Sequence, residues 1–231
     1  MDAGPGRRRF EGRALTPRFT ARERRLLARL RTPLQVQRHL NRLPYNNEPR
    51  GRATLRSFRG VVRHGCVHCL EAALFAAVVL EQRGYPPLVL SFESIDHLDH
   101  VIFVFQRDGR WGSVARSRDP GLHGRKPVFA SPRALALSYV DPYVDLTGRI
   151  TAYAVVDLRV MGDYDWRLSE KNVWMVERML LYLPHRPIES SNSRVNALRA
   201  KYRAFKRQHP DRKPLFYSGR DRWTELPEGN W

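Results

Sequence analysis

Apolar positions recur with helical spacing at both ends of the chain and gather into short unbroken runs in its middle. Thr20 is placed to cap a helix through about Arg31, with Leu26, Leu27 and Leu30 on one face. Thr32-Pro33 starts another, with proline at its first position, through about Leu43. Its apolar side is Leu34, Val36, His39, Leu40 and Leu43. Pro44 to Arg52, with Asn46-Asn47, reads as a loop. Thr54 to Arg63 carries weaker helical signals. From Cys69 to Gln82 the apolar residues run almost all round, which predicts a helix buried on most faces and ended by Gly84.

The middle of the chain changes period. Leu88–Phe92 and Val101–Phe105 are strand-like runs. Asp108-Gly109 predicts a two-residue hairpin turn, with Trp111–Ala115 as the returning strand. Arg116 to Arg125 reads as a polar loop, Ser131-Pro132 as the start of a short helix through Tyr139, and Ile150–Val156 as a further strand. Asn172 to Leu183 and Ser193 to about His209 are helical again. The stripe Trp174, Met175, Met179 and Leu180 reads as core, and Tyr139, Tyr143 and Tyr153 as packing residues. The prediction is an α+β fold: one buried helix on an antiparallel sheet, with helical extensions at both ends. Residues 1–15 read as a disordered tail, 16–53 as the N-terminal helical extension, 54–160 as the core, and 161–231 as a helical extension and tail.

Composition narrows the picture. At 231 residues and 42% apolar content the chain can bury one sizeable core. No apolar run approaches the ~20 residues that span a bilayer, so no membrane role is expected. Arg7-Arg8-Arg9 precedes no apolar signal-peptide segment, and a cytoplasmic location is expected. Net charge is +18, almost all from arginine. Because the basic residues are spread from Arg7 to Arg222, this predicts at most non-specific nucleic-acid binding, or an acidic partner.

The candidate chemistry lies in His64-Gly65-Cys66-Val67-His68-Cys69, which opens the buried helix. Cys69 would sit in the first helical turn, where free N–H groups and the helix dipole favour a thiolate. Asp99-His100 opens the Val101–Phe105 strand, which should lie against that helix. A thiol and an imidazole so placed suit nucleophilic attack on a carbonyl, with the Cys69 N–H as one oxyanion donor. A lone cysteine on an apolar helix is more often a small buried hydrophobe. Cys66 and Cys69 also form a C-x-x-C, although the preceding chain lacks the strand a redox motif wants. His64, Cys66, His68 and Cys69 could instead hold zinc, with His97 and His100 completing the site. The loop Ser117 to Pro127 could recruit a carboxylate or phosphate, or simply be a solvated connection.

These residues resemble the transglutaminase-like, papain-like superfamily of cysteine enzymes. Its nucleophile helix has alanine four residues after the cysteine and a Gly-hydrophobic-Pro turn from the fifteenth, here Cys69, Ala73 and Gly84-Tyr85-Pro86. It continues with a histidine opening an apolar strand, a hairpin, and a tryptophan on the return, here His100, Asp108-Gly109 and Trp111. The resemblance covers about residues 60–120. It implies a Cys69 acyl-enzyme formed from a peptide or other amide- or ester-containing substrate, with no metal or organic cofactor. The family's aspartate four residues after that tryptophan is replaced by Ala115, and an Asp-Pro pair follows only at Asp119-Pro120. Hairpin register places Ser117 opposite His100 and Asp119 diagonally beyond it. Asp119, Ser117 or neither would orient the imidazole.

Overall fold

The computed structural model describes residues 19–48, 51–97, 99–215 and 219–224. The expectation for residues 1–15 lies outside them. Helix α1 (Ala21–Arg29) opens on a reciprocal cap. The Glu23 N–H donates to Thr20 Oγ1 at 3.2 Å, and the Thr20 N–H to Glu23 Oε2 at 2.6 Å. Helix α2 (Pro33–Arg42) is capped by Thr32. Helix α3 (Phe58–His64) is shorter than the pattern suggested, because Ser57 caps it and Thr54 to Ser57 run without helical hydrogen bonds. Helix α4 (Cys69–Glu81) follows, and Leu70 through Leu80 are all buried.

Six strands form one sheet in the order β4-β3-β2-β1-β5-β6, every neighbouring pair antiparallel. They are β1 (Leu88–Ser94), β2 (Val101–Arg107), β3 (Arg110–Val114), β4 (Arg125–Phe129), β5 (Ile150–Asp157) and β6 (Arg186–Pro187). Asp108 and Gly109 have φ of 51° and 72°, the left-handed pair that a two-residue hairpin needs, and Arg107 faces Arg110 as the sequence predicts. Gly112 lies where β4 crosses β3. A Cβ there would meet Arg125 O and Pro127 N at 2.9 Å, so only glycine admits the fourth strand.

The sheet is buried on both faces. Val89, Val101, Phe103 and Phe105 point to a core shared with α4, whereas Leu90, Phe92, Ile102 and Val104 point to a second core. That second core is closed by α5 (Pro132–Tyr143), which begins where Ser131-Pro132 predicts but continues through Pro142. This two-sided burial is why Val101–Phe105 of β2 reads as an unbroken apolar run and Leu88–Phe92 of β1 is broken only by the buried Ser91. Helices α6 (Trp174–Tyr182), α7 (Asn192–Gln208) and α8 (Arg220–Trp223) complete the described chain. Leu180 is buried, but Trp174 and Met175 are 37% and 46% exposed, so half of the stripe assigned to the core faces outward. Among the described residues no helix is long and apolar enough to cross a membrane.

Candidate active site

Three segments meet at the start of α4. Gly65, at φ 69°, ends α3 and turns the chain. Val67 then pairs with Tyr45: the Asn46 N–H donates to Val67 O at 2.9 Å and the Val67 N–H to Pro44 O at 3.2 Å. Glu71 fastens this turn from inside. Its fully buried carboxylate accepts from the His68 N–H at 3.1 Å, the Arg56 N–H at 2.9 Å, Asn46 Nδ2 at 3.1 Å and Thr54 Oγ1 at 3.2 Å. Several hydrogen bonds to one charge offset the cost of burying it. His68 is thereby fixed as the N-cap, and Cys69 as the first helical residue.

Cys69 stands between two imidazoles. Burial pushes its thiol pKa up, but hydrogen bonding and charge from His100, and then from His68, bring it down to about 5. The reciprocal effect falls on His68. Burial lowers its pKa, yet the Cys69 thiolate, Glu71 and the Thr54 carbonyl together raise it to about 9. His68 Nε2 lies 2.8 Å from Thr54 O, an acceptor, so that nitrogen carries a proton and Nδ1 remains for the sulfur. Between about pH 5 and 9 these directions favour a thiolate–imidazolium pair.

His100 is 3% exposed and lies against the Phe92 and Tyr139 rings. Its Nε2 lies 3.1 Å from the Leu122 carbonyl, which can only accept, leaving Nδ1 for Cys69. Neither residue expected to orient it does so. Asp119 Oδ1 pairs with Lys213 Nζ at 2.9 Å, and Ser117 Oγ accepts from the Asp119 N–H at 3.1 Å. The register argument fails because the β2–β3 ladder stops at Phe103–Val114. The next residue, Ala115, is taken by the Gln37 side chain, which accepts from its N–H at 2.9 Å and donates to its carbonyl at 2.8 Å.

The loop that supplies the Leu122 carbonyl is not a solvated connection, nor does it offer Arg125 to a ligand. Arg125 is 2% exposed; its guanidinium donates to His123 O and to Gly121 O, both at 2.7 Å, and lies 4.0 Å over the Tyr139 ring. By holding the carbonyls on either side of Leu122, it aims the one between them. His123 is buried in the same knot; burial first, then the Arg116 charge, lowers its pKa to about 3 and keeps it neutral.

Tyr45 completes the surroundings of the thiol. Burial, followed by the Cys69 charge, raises the pKa of its hydroxyl well above the usual tyrosine value, so it stays protonated and can donate. Nothing in the sequence singled out Tyr45, Arg125 or the Leu122 carbonyl, because each acts through tertiary placement. His68 had a readable signal: it directly precedes the nucleophile, with Glu71 three residues on. By sequence alone it stands only among the candidate zinc ligands. The grouping His64, Cys66, His68 and Cys69 is not assembled. His64 is exposed at the end of α3, and Cys66 accepts from Arg56 Nη1 at 3.1 Å. Among the described residues no three His, Cys, Asp or Glu side chains converge as a metal site. Both cysteines are free. Thiol and imidazoles open on a cleft of about 980 Å³, which His97, at φ 56°, also lines.

No family model matches the chain, and no curated protein matches it. Among solved structures it is similar to calcium-bound LapG of Legionella pneumophila, at 14% identity and a TM-score of 0.35, over 67% of this chain and 86% of that one. A likeness at that level assigns no activity.

Proposed function

We propose that the chain is a transglutaminase-like thiol enzyme acting on an amide or ester carbonyl through a Cys69 acyl-enzyme. The observation that carries this reading is a thiol in the first turn of a buried helix, set between His100 and His68, with its pKa lowered to about 5. The Cys69 thiolate attacks the carbonyl carbon. The carbonyl π pair moves to oxygen, beside the Cys69 N–H and the Tyr45 hydroxyl. Collapse re-forms the carbonyl and expels the amine or alkoxide, which takes a proton from His100. Water or an amine then attacks the thioester while His100 accepts its proton, and the thiolate is released. His68 remains the cationic neighbour that keeps the sulfur ionised. The acyl acceptor decides between hydrolysis and acyl transfer.

The test is acylation by p-nitrophenyl acetate. One equivalent of nitrophenolate should appear in a burst, with the acetyl group on Cys69 by peptide mass. A purified chain that takes no acetyl group, or takes it elsewhere, contradicts the reading. The same assay resolves Tyr45. If its hydroxyl donates to the oxyanion, Tyr45→Phe should slow acylation by about 10²-fold. Alkylation by iodoacetamide, which forms no oxyanion, should change less than about threefold.

The second reading is a binding module that keeps the fold with a decayed site. What favours it is that a neutral carbonyl, not a carboxylate, faces His100, since a carboxylate stabilises imidazolium better. An inert Cys69 would support it.

A further inference from the structure

The cleft around Cys69 has the opposite charge to the chain. The sequence holds 41 Lys and Arg against 23 Asp and Glu. Among the described residues lining the cleft there are seven carboxylates and one guanidinium, that of Arg118. Some of the seven are occupied internally. Asp119 pairs with Lys213, Asp145 accepts from the Thr147 and Gly148 N–H groups, and Asp99 accepts from the Ser94 N–H. Hydrogen bonds of the latter kind do not cancel charge. Glu93, on β1, and Glu177, on α6, keep their carboxylates in partial or full contact with solvent on the cleft wall. Low-dielectric walls lined with one sign of charge concentrate the opposite sign.

Two further features beside these carboxylates bear on what the cleft would hold. The His185 side chain is only 3% exposed and lines the cleft. Its Nδ1 lies 2.8 Å from Leu183 O and 3.1 Å from Glu93 Oε1, both acceptors, while its Nε2 has no hydrogen-bond partner. With the proton on Nδ1, Nε2 presents an unfilled lone pair, which an incoming N–H would satisfy. Beside it, α6 places Trp174, Glu177 and Leu181 at helical spacing along the cleft. Trp174 is 37% and Leu181 64% exposed, an apolar wall with a carboxylate at its centre. Long cationic side chains suit such a wall, because their methylenes cover apolar surface while the charged end meets the acid.

We propose that this cleft binds a lysine- or arginine-bearing peptide segment, its cationic side chain at Glu93 and Glu177 and its aliphatic portion against Trp174 and Leu181. This deepens the thiol-enzyme reading by naming the substrate class, but the binding itself does not require a reactive Cys69. The whole-chain charge of +18 makes the opposite prediction, that anionic peptides bind best. The experiment is fluorescence anisotropy on the full chain with two dye-labelled hexapeptides, alternating leucine with lysine or leucine with glutamate. The lysine peptide should bind at least about tenfold more tightly at low salt, with the margin shrinking as salt screens the cleft. Glu93→Gln combined with Glu177→Gln should cut that margin at least threefold. Equal affinity, tighter binding of the glutamate peptide, or a margin untouched by the double substitution overturns the proposal. The pH dependence of Cys69 alkylation, measured separately, shows whether the thiol-enzyme reading fails on its own account.

Discussion

Cys69→Ala should reduce acyl turnover by about 10⁴-fold or more, towards the background of the uncatalysed ester, because it removes the nucleophile on which the acyl-enzyme forms. Cys66→Ala should leave turnover within about twofold, a bound set by the ordinary scatter of surface substitutions. Cys66 precedes the helix and faces Arg56, not the imidazoles. The pair of variants separates three readings in one assay. A nucleophile requires the asymmetric result. A dithiol redox site or a zinc site using both sulfurs requires equal loss. The measurement is nitrophenolate release with protein acetylation followed in parallel by mass.

His100→Ala should have the next largest effect, about 10²–10⁴-fold on acyl turnover, since it removes the group that protonates the leaving atom and deprotonates water. Its effect on alkylation should be smaller. His100 is the strongest favourable influence on the Cys69 thiolate, so the thiol pKa rises from about 5, but His68 and the helix terminus remain. Turnover and alkylation are therefore expected to separate in this variant by at least ~10-fold at pH 7. Parallel losses in both would mean that His100 only ionises the sulfur and transfers no proton.

The elements whose signals are local were legible in the sequence. Thr20 with Glu23, Thr32-Pro33, Ser131-Pro132 and Asp108-Gly109 each satisfy backbone groups within a few residues, and each begins or turns an element where expected. The buried α4 announced itself by being apolar all round, and His100 by opening an apolar strand beside it. Features that depend on distant partners were not legible. Strand β4 includes Pro127 and lacks alternation, and it exists because Gly112 lets it approach β3 and because Arg125 is enclosed by its own loop. Strand β6 is two residues at the edge of β5.

The third member of the site shows the same division most sharply. Counting along a hairpin assumes that the ladder continues. Here Gln37, 78 residues away in sequence, replaces the neighbouring strand at Ala115, and the chain then folds over itself. The partner of His100 is a main-chain carbonyl, which has no residue signature. Sequence patterns register side chains, and so they point to a carboxylate, Asp119, which Lys213 holds instead.

The central claim is that Cys69 is an ionised nucleophile at neutral pH. Its most direct test is the rate of iodoacetamide alkylation from pH 4 to 10, read at Cys69 by peptide mass so that Cys66 is scored separately. A thiol whose pKa is depressed is protonated only below its folded value, so reactivity should climb through an inflection near 5 and hold a plateau across neutrality. An inflection near ~8.5, the value of a free cysteine, would contradict the account.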